Sequence, residues 1–215
     1  MDCIETDAHG SSAGYWPPDR LDALARSLLS DERYDHSLRS ADTAVDLCAR
    51  YGLDAERGRV LGITHDVCKE FPRAEQERLA AGHWETLPPY MLTEGRFLHG
   101  PAAAVYLAKL GAVRDAELLD AITWHTTGRP DMGDLGLALY AADKLEPGRS
   151  SWRDGLRARL DAGEFDGPSG LRSLAAAVAA LTMDYVASQG WPIAPGTLVL
   201  YNALTGEDLG SWPAR

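Results

Sequence analysis

Apolar residues recur at steps of three and four along most of this 215-residue chain. Leu38, Ala41, Val45 and Cys48 show the pattern, which places them on one face of an α-helix. Glycine or proline bounds most of these segments. The helices are expected at about residues 21–29, 34–51, 54–71, 73–81, 101–110, 113–126, 135–145, 151–162 and 168–189. The spacing therefore predicts an all-α fold.

The chain divides into three parts. Residues 1–17 are rich in glycine, serine and acidic residues, and we expect a flexible leader that is not a signal peptide, because it lacks a basic start and an apolar core. Residues 18–190 carry the periodic segments and form the predicted domain. Residues 191–215 are expected to be a tail that packs on or extends this domain, and their run 197–201 has a β-like composition without an evident pairing partner.

Charge and cysteine content exclude several classes of protein. The formal net charge of -11 argues against sequence-independent nucleic-acid binding, which needs a basic face. No apolar run reaches membrane-spanning length, and the three cysteines show no CxxC spacing. We therefore expect a cytoplasmic protein with neither nucleic-acid nor membrane partners. A small polyanionic substrate stays open, because metal ions and a few arginines can reverse the local potential.

Residues of metal-ligand type lie among small or apolar neighbours in five predicted helical segments. A single helical histidine is more often an ordinary hydrogen-bonded residue, but a buried carboxylate needs a partner. Histidine together with aspartate is a ligand set for zinc, iron or manganese. His9 and His83 lack an apolar helical context and are left out. The predicted metal ligands are His36, His65, Asp66, His99, His125 and Asp143.

The adjacent pair in LGITHDVCKEF predicts how two metals could share one site. Neighbouring helical residues project about 100° apart, so His65 and Asp66 cannot be parallel ligands. The two oxygens of Asp66 can nevertheless bridge two metals. One metal would be bound by His36, His65, Asp66 and Asp143, the other by Asp66, His99 and His125, with a hydroxide between them.

Four basic residues lie close in sequence to these candidate ligands. Lys69 follows His65 by four positions, so both are expected on one helix face. Four such groups in an acidic protein indicate a substrate with several negative charges, and guanidinium groups suit phosphate because they bind two oxygens at once. The other three are Arg33, Arg129 and Arg149.

The order of these segments resembles that of the HD-domain superfamily of metal-dependent phosphohydrolases. RYDHSLRSADTAVDLCARYGLD, THDVCKEFP, LHGPAAAVYLAK and WHTTGRPDMGDLGLALYAADKLEPGR are similar to the YqeK family, symmetric diadenosine tetraphosphate hydrolases of bacteria. The similarity covers about residues 20–190. It implies an all-α HD-domain helical bundle, cleavage of diadenosine tetraphosphate into two ADP, and two divalent metal ions, with iron expected and manganese, cobalt or zinc as alternatives.

The resemblance also implies roles for individual residues. The six candidate ligands carry over as metal ligands. Asp66, Lys69 and Arg129 are expected to be catalytic, orienting the nucleophile or neutralising charge on phosphate oxygens. The expected substrate contacts are Arg33, Lys69, Arg129, Glu146 and Arg149. Departures from the family, such as the Val67–Cys68 pair, the long leader and the tail, concern nucleotide selectivity and dimer contacts.

Two other functions share the same residues. One is an HD-domain phosphohydrolase for a nucleoside monophosphate or a cyclic nucleotide, which would differ only in its pocket wall. The other is a non-catalytic nucleotide-binding HD protein, which usually lacks some ligands, although none is missing here. In each case a small nucleotide is the expected partner. A homodimer is left open, because no helix shows an extended apolar seam that must meet a second chain.

Overall fold

The computed structural model of the chain describes residues 14–149 and 153–213. Within these residues no β-strand forms, and an isolated bridge joins Tyr15 to Val113. The predicted all-α fold is confirmed. A 3₁₀ helix spans Gly95–Phe97. The α-helices are α1 (Pro18–Leu28), α2 (Asp31–Arg50), α3 (Ala55–Thr64), α4 (Arg73–Ala80), α5 (Pro89–Thr93), α6 (His99–Leu110), α7 (Ala116–Trp124), α8 (Asp134–Leu145), α9 (Asp154–Asp161), α10 (Gly170–Ser188) and α11 (Pro195–Thr205).

Helices α2, α3, α7 and α8 form the centre of the bundle. Helix α8 packs against α2, α3, α7 and α10, and its residues from Leu135 to Leu145 are all buried. Helix α6 packs on α7, and α11 packs on α10. A helix that is apolar around most of its circumference needs neighbours on every side, which is why α8 occupies the middle.

Two glycines allow neighbouring helices to approach closely at this centre. A Cβ atom at Gly62 of α3 would lie 2.2 Å from the Cα of Ala41 in α2. A Cβ atom at Gly100 of α6 would lie 2.8 Å from the carbonyl oxygen of Thr123 in α7. Both distances are far below normal van der Waals contact, so any larger residue would push the helices apart. Each glycine is next to or near a candidate ligand in the chain.

The third predicted helix is too long. It was expected to continue to residue 71, but α3 ends at Thr64 and residues 65–70 form successive turns. Their backbone bonds span three residues, as in the bond from the Lys69 N–H to the Asp66 carbonyl at 2.7 Å. The side-chain amide of Gln76 in α4 donates to the carbonyls of Cys68 and Phe71, each at 3.0 Å. This tertiary contact stabilises the turn by pairing carbonyls that a continuing helix would have used.

The β-like run 197–201 in the tail is helical, so that prediction is wrong. It lies within α11, which has Pro195 in its first turn and Gly206, with φ of 78°, after its last. Proline at the start and glycine at the end fit a helix. The hydroxyl of Thr197 also donates to the carbonyl of Thr127 at 2.9 Å. Packing on α10 and this bond outweigh the weak strand preference of the β-branched residues.

The predicted flexible leader can be compared with the structure only at its end, because residues 1–13 lie outside the described part. Tyr15 is buried, and the Trp16 N–H donates to the carbonyl of Ala112 at 2.8 Å. Residues 14–17 are therefore held against the domain. Among the described helices, none combines the length and the apolar character that crossing a membrane requires.

Candidate metal centre and substrate pocket

The six predicted ligands lie together at the centre of the bundle. His36 projects from α2, His65 and Asp66 from the turn after α3, His99 from the start of α6, His125 from the position after α7, and Asp143 from α8. All six are buried, with exposed fractions of 7% or less. The close approaches at Gly62 and Gly100 bring these helices together at the level of the six side chains.

Asp66 lies between two groups of histidines. Its Oδ2 is 3.8 Å from Nε2 of His36 and 3.7 Å from Nε2 of His65. Its Oδ1 is 3.3 Å from Nε2 of His99 and 3.6 Å from Nε2 of His125. With Asp66, His36 and His65 form one group of three residues, and His99 and His125 form another. Within each group, one possible ligand atom from each residue lies within 4.8 Å of the others. The two oxygens of one carboxylate thus face two separate sets of nitrogens, as the sequence hypothesis required.

Asp143 lies beside the first of these groups. Its Oδ1 lies 3.1 Å from Nε2 of His36 and 3.7 Å from Nε2 of His65. Burial alone would raise the pKa of Asp143, but Arg149 and Lys144 hold it well below the usual range. Burial would likewise raise the pKa of Asp66, which His65 and Lys69 hold well below its usual range. Both groups are therefore carboxylates, and cationic side chains lie against each of them.

The backbone orients two of the imidazole rings. Nδ1 of His65 lies 2.8 Å from the Gly62 carbonyl, and Nδ1 of His125 lies 2.7 Å from the Ile122 carbonyl. A carbonyl only accepts, so each Nδ1 carries the proton and donates, which leaves the lone pair of Nε2 facing the cluster. In the described part of the chain, Nε2 of His65 is buried without a hydrogen-bond partner. Such an atom fits a metal ligand, because an unpaired buried acceptor is otherwise costly.

Glu146 has a different role from the expected substrate contact. It is buried, with 1% exposed, and accepts hydrogen bonds from Nδ1 of His36 at 3.1 Å and from Nε of Arg39 at 2.6 Å. Burial would raise its pKa, but these two bonds lower it to about 2. Glu146 therefore orients the ring of His36 so that Nε2 faces Asp66 and Asp143, as carboxylates behind metal-ligating histidines do.

A pocket that opens to solvent adjoins the cluster, and Asp66, His99, His125 and Asp143 form part of its wall. Three of the predicted substrate contacts line it, namely Arg33, Lys69 and Arg149. The structure thus brings these cations to the place where an anionic ligand would meet the cluster.

The pocket contains three further cations that the sequence reasoning missed: Arg96, Lys144 and Arg153. One signal was available, because Arg96 precedes His99 by three positions, as Arg33 precedes His36. Nothing local marks Lys144 or Arg153 as pocket residues.

Lys144 links the end of α7 to α8. Its Nζ donates to the His125 carbonyl at 2.9 Å and to Oδ2 of Asp143 at 3.4 Å. Burial lowers the pKa of Lys144 to about 8, although Asp143 opposes this. The lysine therefore helps to position two of the candidate ligands.

Arg129 does not join the pocket, in contrast to the expected substrate contact. Its guanidinium lies 2.9 Å from Asp120, 3.2 Å from Asp131 and 3.2 Å from Glu85. Three carboxylates compete for one cation, and they hold the side chain away from the cluster. The HTTGRP motif places Arg129 close to His125 in sequence, but the turn after α7 directs it elsewhere.

Comparison with known proteins defines the class. The HD domain family model matches residues 33–148. A Clostridium acetobutylicum protein, described as a predicted HD superfamily hydrolase involved in NAD metabolism, has a crystal structure that aligns with a TM-score of 0.78 and 30% identity, over 90% of this chain and 99% of that one. The chain therefore belongs to the HD domain family, and its histidine and aspartate cluster indicates divalent-metal binding.

Two curated relatives narrow the comparison. A Bacillus subtilis protein named symmetrical bis(5'-nucleosyl)-tetraphosphatase is 31% identical over 196 residues, which are 86% of this chain and 97% of that protein. A protein of the same name from Halalkalibacterium halodurans is 29% identical over 192 residues, 86% of this chain and 95% of that protein. Within the HD domain family, the chain is thus similar to symmetrical tetraphosphatases over most of its length.

Proposed function

We propose that this protein is a metal-dependent phosphohydrolase that cleaves diadenosine tetraphosphate symmetrically into two ADP. The observation that carries the proposal is the shared carboxylate of Asp66, which faces two sets of buried imidazoles beside a pocket lined with cations. The relatives named symmetrical bis(5'-nucleosyl)-tetraphosphatase support the choice of nucleotide.

Two divalent metal ions are part of the proposal. His36, His65, Asp66 and Asp143 would hold one ion, and Asp66, His99 and His125 the other. The resemblance to the YqeK family favours iron, while manganese, cobalt and zinc accept the same donor atoms. When bound, such ions act as Lewis acids that acidify water and withdraw charge from phosphoryl oxygens.

The protein's own groups bind and orient the polyphosphate. Lys69 and Arg149 already lie against the cluster: Nζ of Lys69 is 3.0 Å from Nε2 of His99, and Nη2 of Arg149 is 2.5 Å from Oδ1 of Asp143. Arg33 lies 3.9 Å from Asp66 and keeps about a third of its side chain exposed, so it is available to a ligand. These cations would neutralise charge that develops on the phosphate oxygens.

Hydrolysis adds one water molecule to the central phosphoryl pair. The water oxygen bonds to one central phosphorus, the bond from that phosphorus to the bridging oxygen breaks, and the bridging oxygen leaves with the second ADP. The protons of the water pass to the product phosphates or to solvent. Asp66 is a carboxylate, so it can accept a hydrogen bond from the attacking water and orient it. Glu146 and the Gly62 and Ile122 carbonyls keep the imidazoles in one tautomer throughout.

The test combines metal analysis with a nucleotide panel. Protein purified without added metal is analysed for bound metals, then assayed with iron, manganese or cobalt on diadenosine tetraphosphate, nucleoside monophosphates and cyclic nucleotides. We expect ADP as the only nucleotide product of diadenosine tetraphosphate, formed faster than any monophosphate is consumed. Release of ATP and AMP, or preferred turnover of a monophosphate or cyclic nucleotide, would contradict the proposal.

The assembly is measured on the same sample. Light scattering coupled to size exclusion tests the homodimer that the sequence left open. That state and the cytoplasmic location stay predictions.

A further inference from the structure

The pocket beside the cluster has two chemically different sides. Cationic residues line one part of it, and apolar residues of the 3₁₀ helix, α10 and the segment after α10 line another, with Arg96 and Thr182 beside them. The apolar side is formed by Phe97, Met183, Val186, Pro192, Ile193 and Ala194. A ligand that fits both sides must carry negative charge at one end and a flat or apolar group at the other.

Hydrogen bonds hold the apolar side in place. The Arg96 guanidinium donates to the Pro192 carbonyl at 2.8 Å, which joins the 3₁₀ helix to the segment after α10. The Trp191 N–H donates to the Val186 carbonyl at 3.1 Å. Further along, the bond from Thr197 to the Thr127 carbonyl fixes the start of α11. The segment 191–197 is therefore an anchored wall of the pocket.

Most of this wall lies outside the part of the chain that matches the HD domain model. That match ends at residue 148, whereas Met183 and Val186 belong to α10 and residues 192–194 join α10 to α11. By contrast, the part of the pocket formed by α2 and the turn after α3 consists, among the described residues, of Arg33, Asp66 and Lys69 alone. Apolar contact is thus offered on one side of the cluster.

We propose that this wall is a nucleoside subsite that binds one nucleobase of the substrate, so that α10 and residues 192–194 select the nucleotide. The inference rests on the proposed function, because it takes the anionic ligand to be a nucleotide. The base and ribose would lie against Val186, Met183 and Ile193, while the phosphates reach Lys69 and Arg149. With one such wall, one nucleoside is held and the second extends out of the pocket.

The experiment compares the binding of ADP with that of inorganic pyrophosphate, which differs from ADP by the nucleoside alone. Titration calorimetry on the metal-loaded protein measures both affinities in wild type and in Val186→Trp. The larger tryptophan side chain occupies the space along the apolar wall without adding charge. Val199→Trp is the matched control, because Val199 lies on α11, is 45% exposed and does not line the pocket. Ile193→Ala is a milder second variant, for use if Val186→Trp fails to fold.

We expect wild type to bind ADP at least about tenfold more tightly than pyrophosphate, since burying the nucleoside adds apolar contact. Val186→Trp should abolish this preference and leave pyrophosphate binding within about twofold, Ile193→Ala should weaken ADP by about threefold, and Val199→Trp should change neither. Equal loss of both ligands, or an ADP preference that survives the wall variants, would overturn the subsite. If the preference behaves as expected but diadenosine tetraphosphate is not cleaved, the subsite stands and the proposed reaction fails.

Discussion

The two sides of the pocket are formed in opposite ways. On the cluster side, buried side chains from five segments meet because Gly62 and Gly100 let helices approach closely. On the apolar side, a short segment between α10 and α11 is held at the surface by a few hydrogen bonds. We expect a change in the first to disturb the core, and a change in the second to alter what the pocket accepts. The chemistry and the selection of the ligand can therefore vary independently.

The largest effect is expected when a candidate metal ligand is removed from the cluster side of the pocket. His65→Ala should abolish metal binding and reduce activity by about a thousandfold or more, because the metals activate the water. His83→Ala is the matched control, since His83 lies outside the cluster, stacked on Trp84. Elemental analysis and the rate of ADP release are measured for both variants. Full activity in His65→Ala, or an equal loss in His83→Ala, would show that the cluster is not the active site.

Glu146→Gln tests the support behind the cluster. The amide keeps the shape of the side chain but loses the charge that pairs with Arg39 and orients His36. Metal affinity should fall by about 10- to 100-fold. Metal-competition titrations measure the change, and circular dichroism checks the fold. Glu32→Gln, at an exposed position, is the control and should not change metal affinity. Unchanged metal affinity in Glu146→Gln would show that Glu146 does not position His36 for metal binding.

Two arginine variants compare the contribution of a cation inside the pocket with that of a cation outside it. Arg33→Ala should raise KM for diadenosine tetraphosphate by about tenfold, because a charge-assisted phosphate contact is lost. Arg129→Ala should leave KM within about twofold, since three carboxylates hold Arg129 away from the pocket. Steady-state kinetics with a check of metal content distinguishes the two. A larger increase in KM from Arg129→Ala than from Arg33→Ala would instead support the substrate contact by Arg129 that the HTTGRP motif predicted.

The smallest predicted effect concerns Asp120, which pairs with Arg129 outside both sides of the pocket. Burial raises the pKa of Asp120 to about 6, although Arg129 opposes this. Below the unfolded pKa of about 4 both states are protonated, and between about 4 and 6 the folded state binds more protons, so this contribution to stability is lost as the pH rises.

Denaturant unfolding at pH 4, 5 and 6 tests this contribution. The free energy of unfolding of wild type, minus that of Asp120→Asn, should fall by on the order of 1 kcal/mol across this range, since partial exposure screens the effect. A difference that stays constant with pH would contradict the raised pKa.

The ligand types and their order could be read from the chain because each lies in an apolar helical context. His36, Asp66 and Asp143 are costly in such segments unless they share a partner, and periodicity alone made the fold all-α. The resemblance added the nucleotide and the preference for iron. These conclusions need only local patterns and the residue types themselves.

The tertiary structure decided which side chains meet. Gln76 ends α3 before the helical pattern ends, and three carboxylates pair with Arg129 outside the lining of the pocket. Glu146 became an orienting group for His36, and the tail became a helix that follows the pocket wall at residues 192–194. Periodicity specifies which face of a helix is buried, but the partner of that face is set by contacts between distant segments. For this reason the sequence by itself determined the chemistry of the cluster, and only the packed bundle determined the shape of the pocket around it.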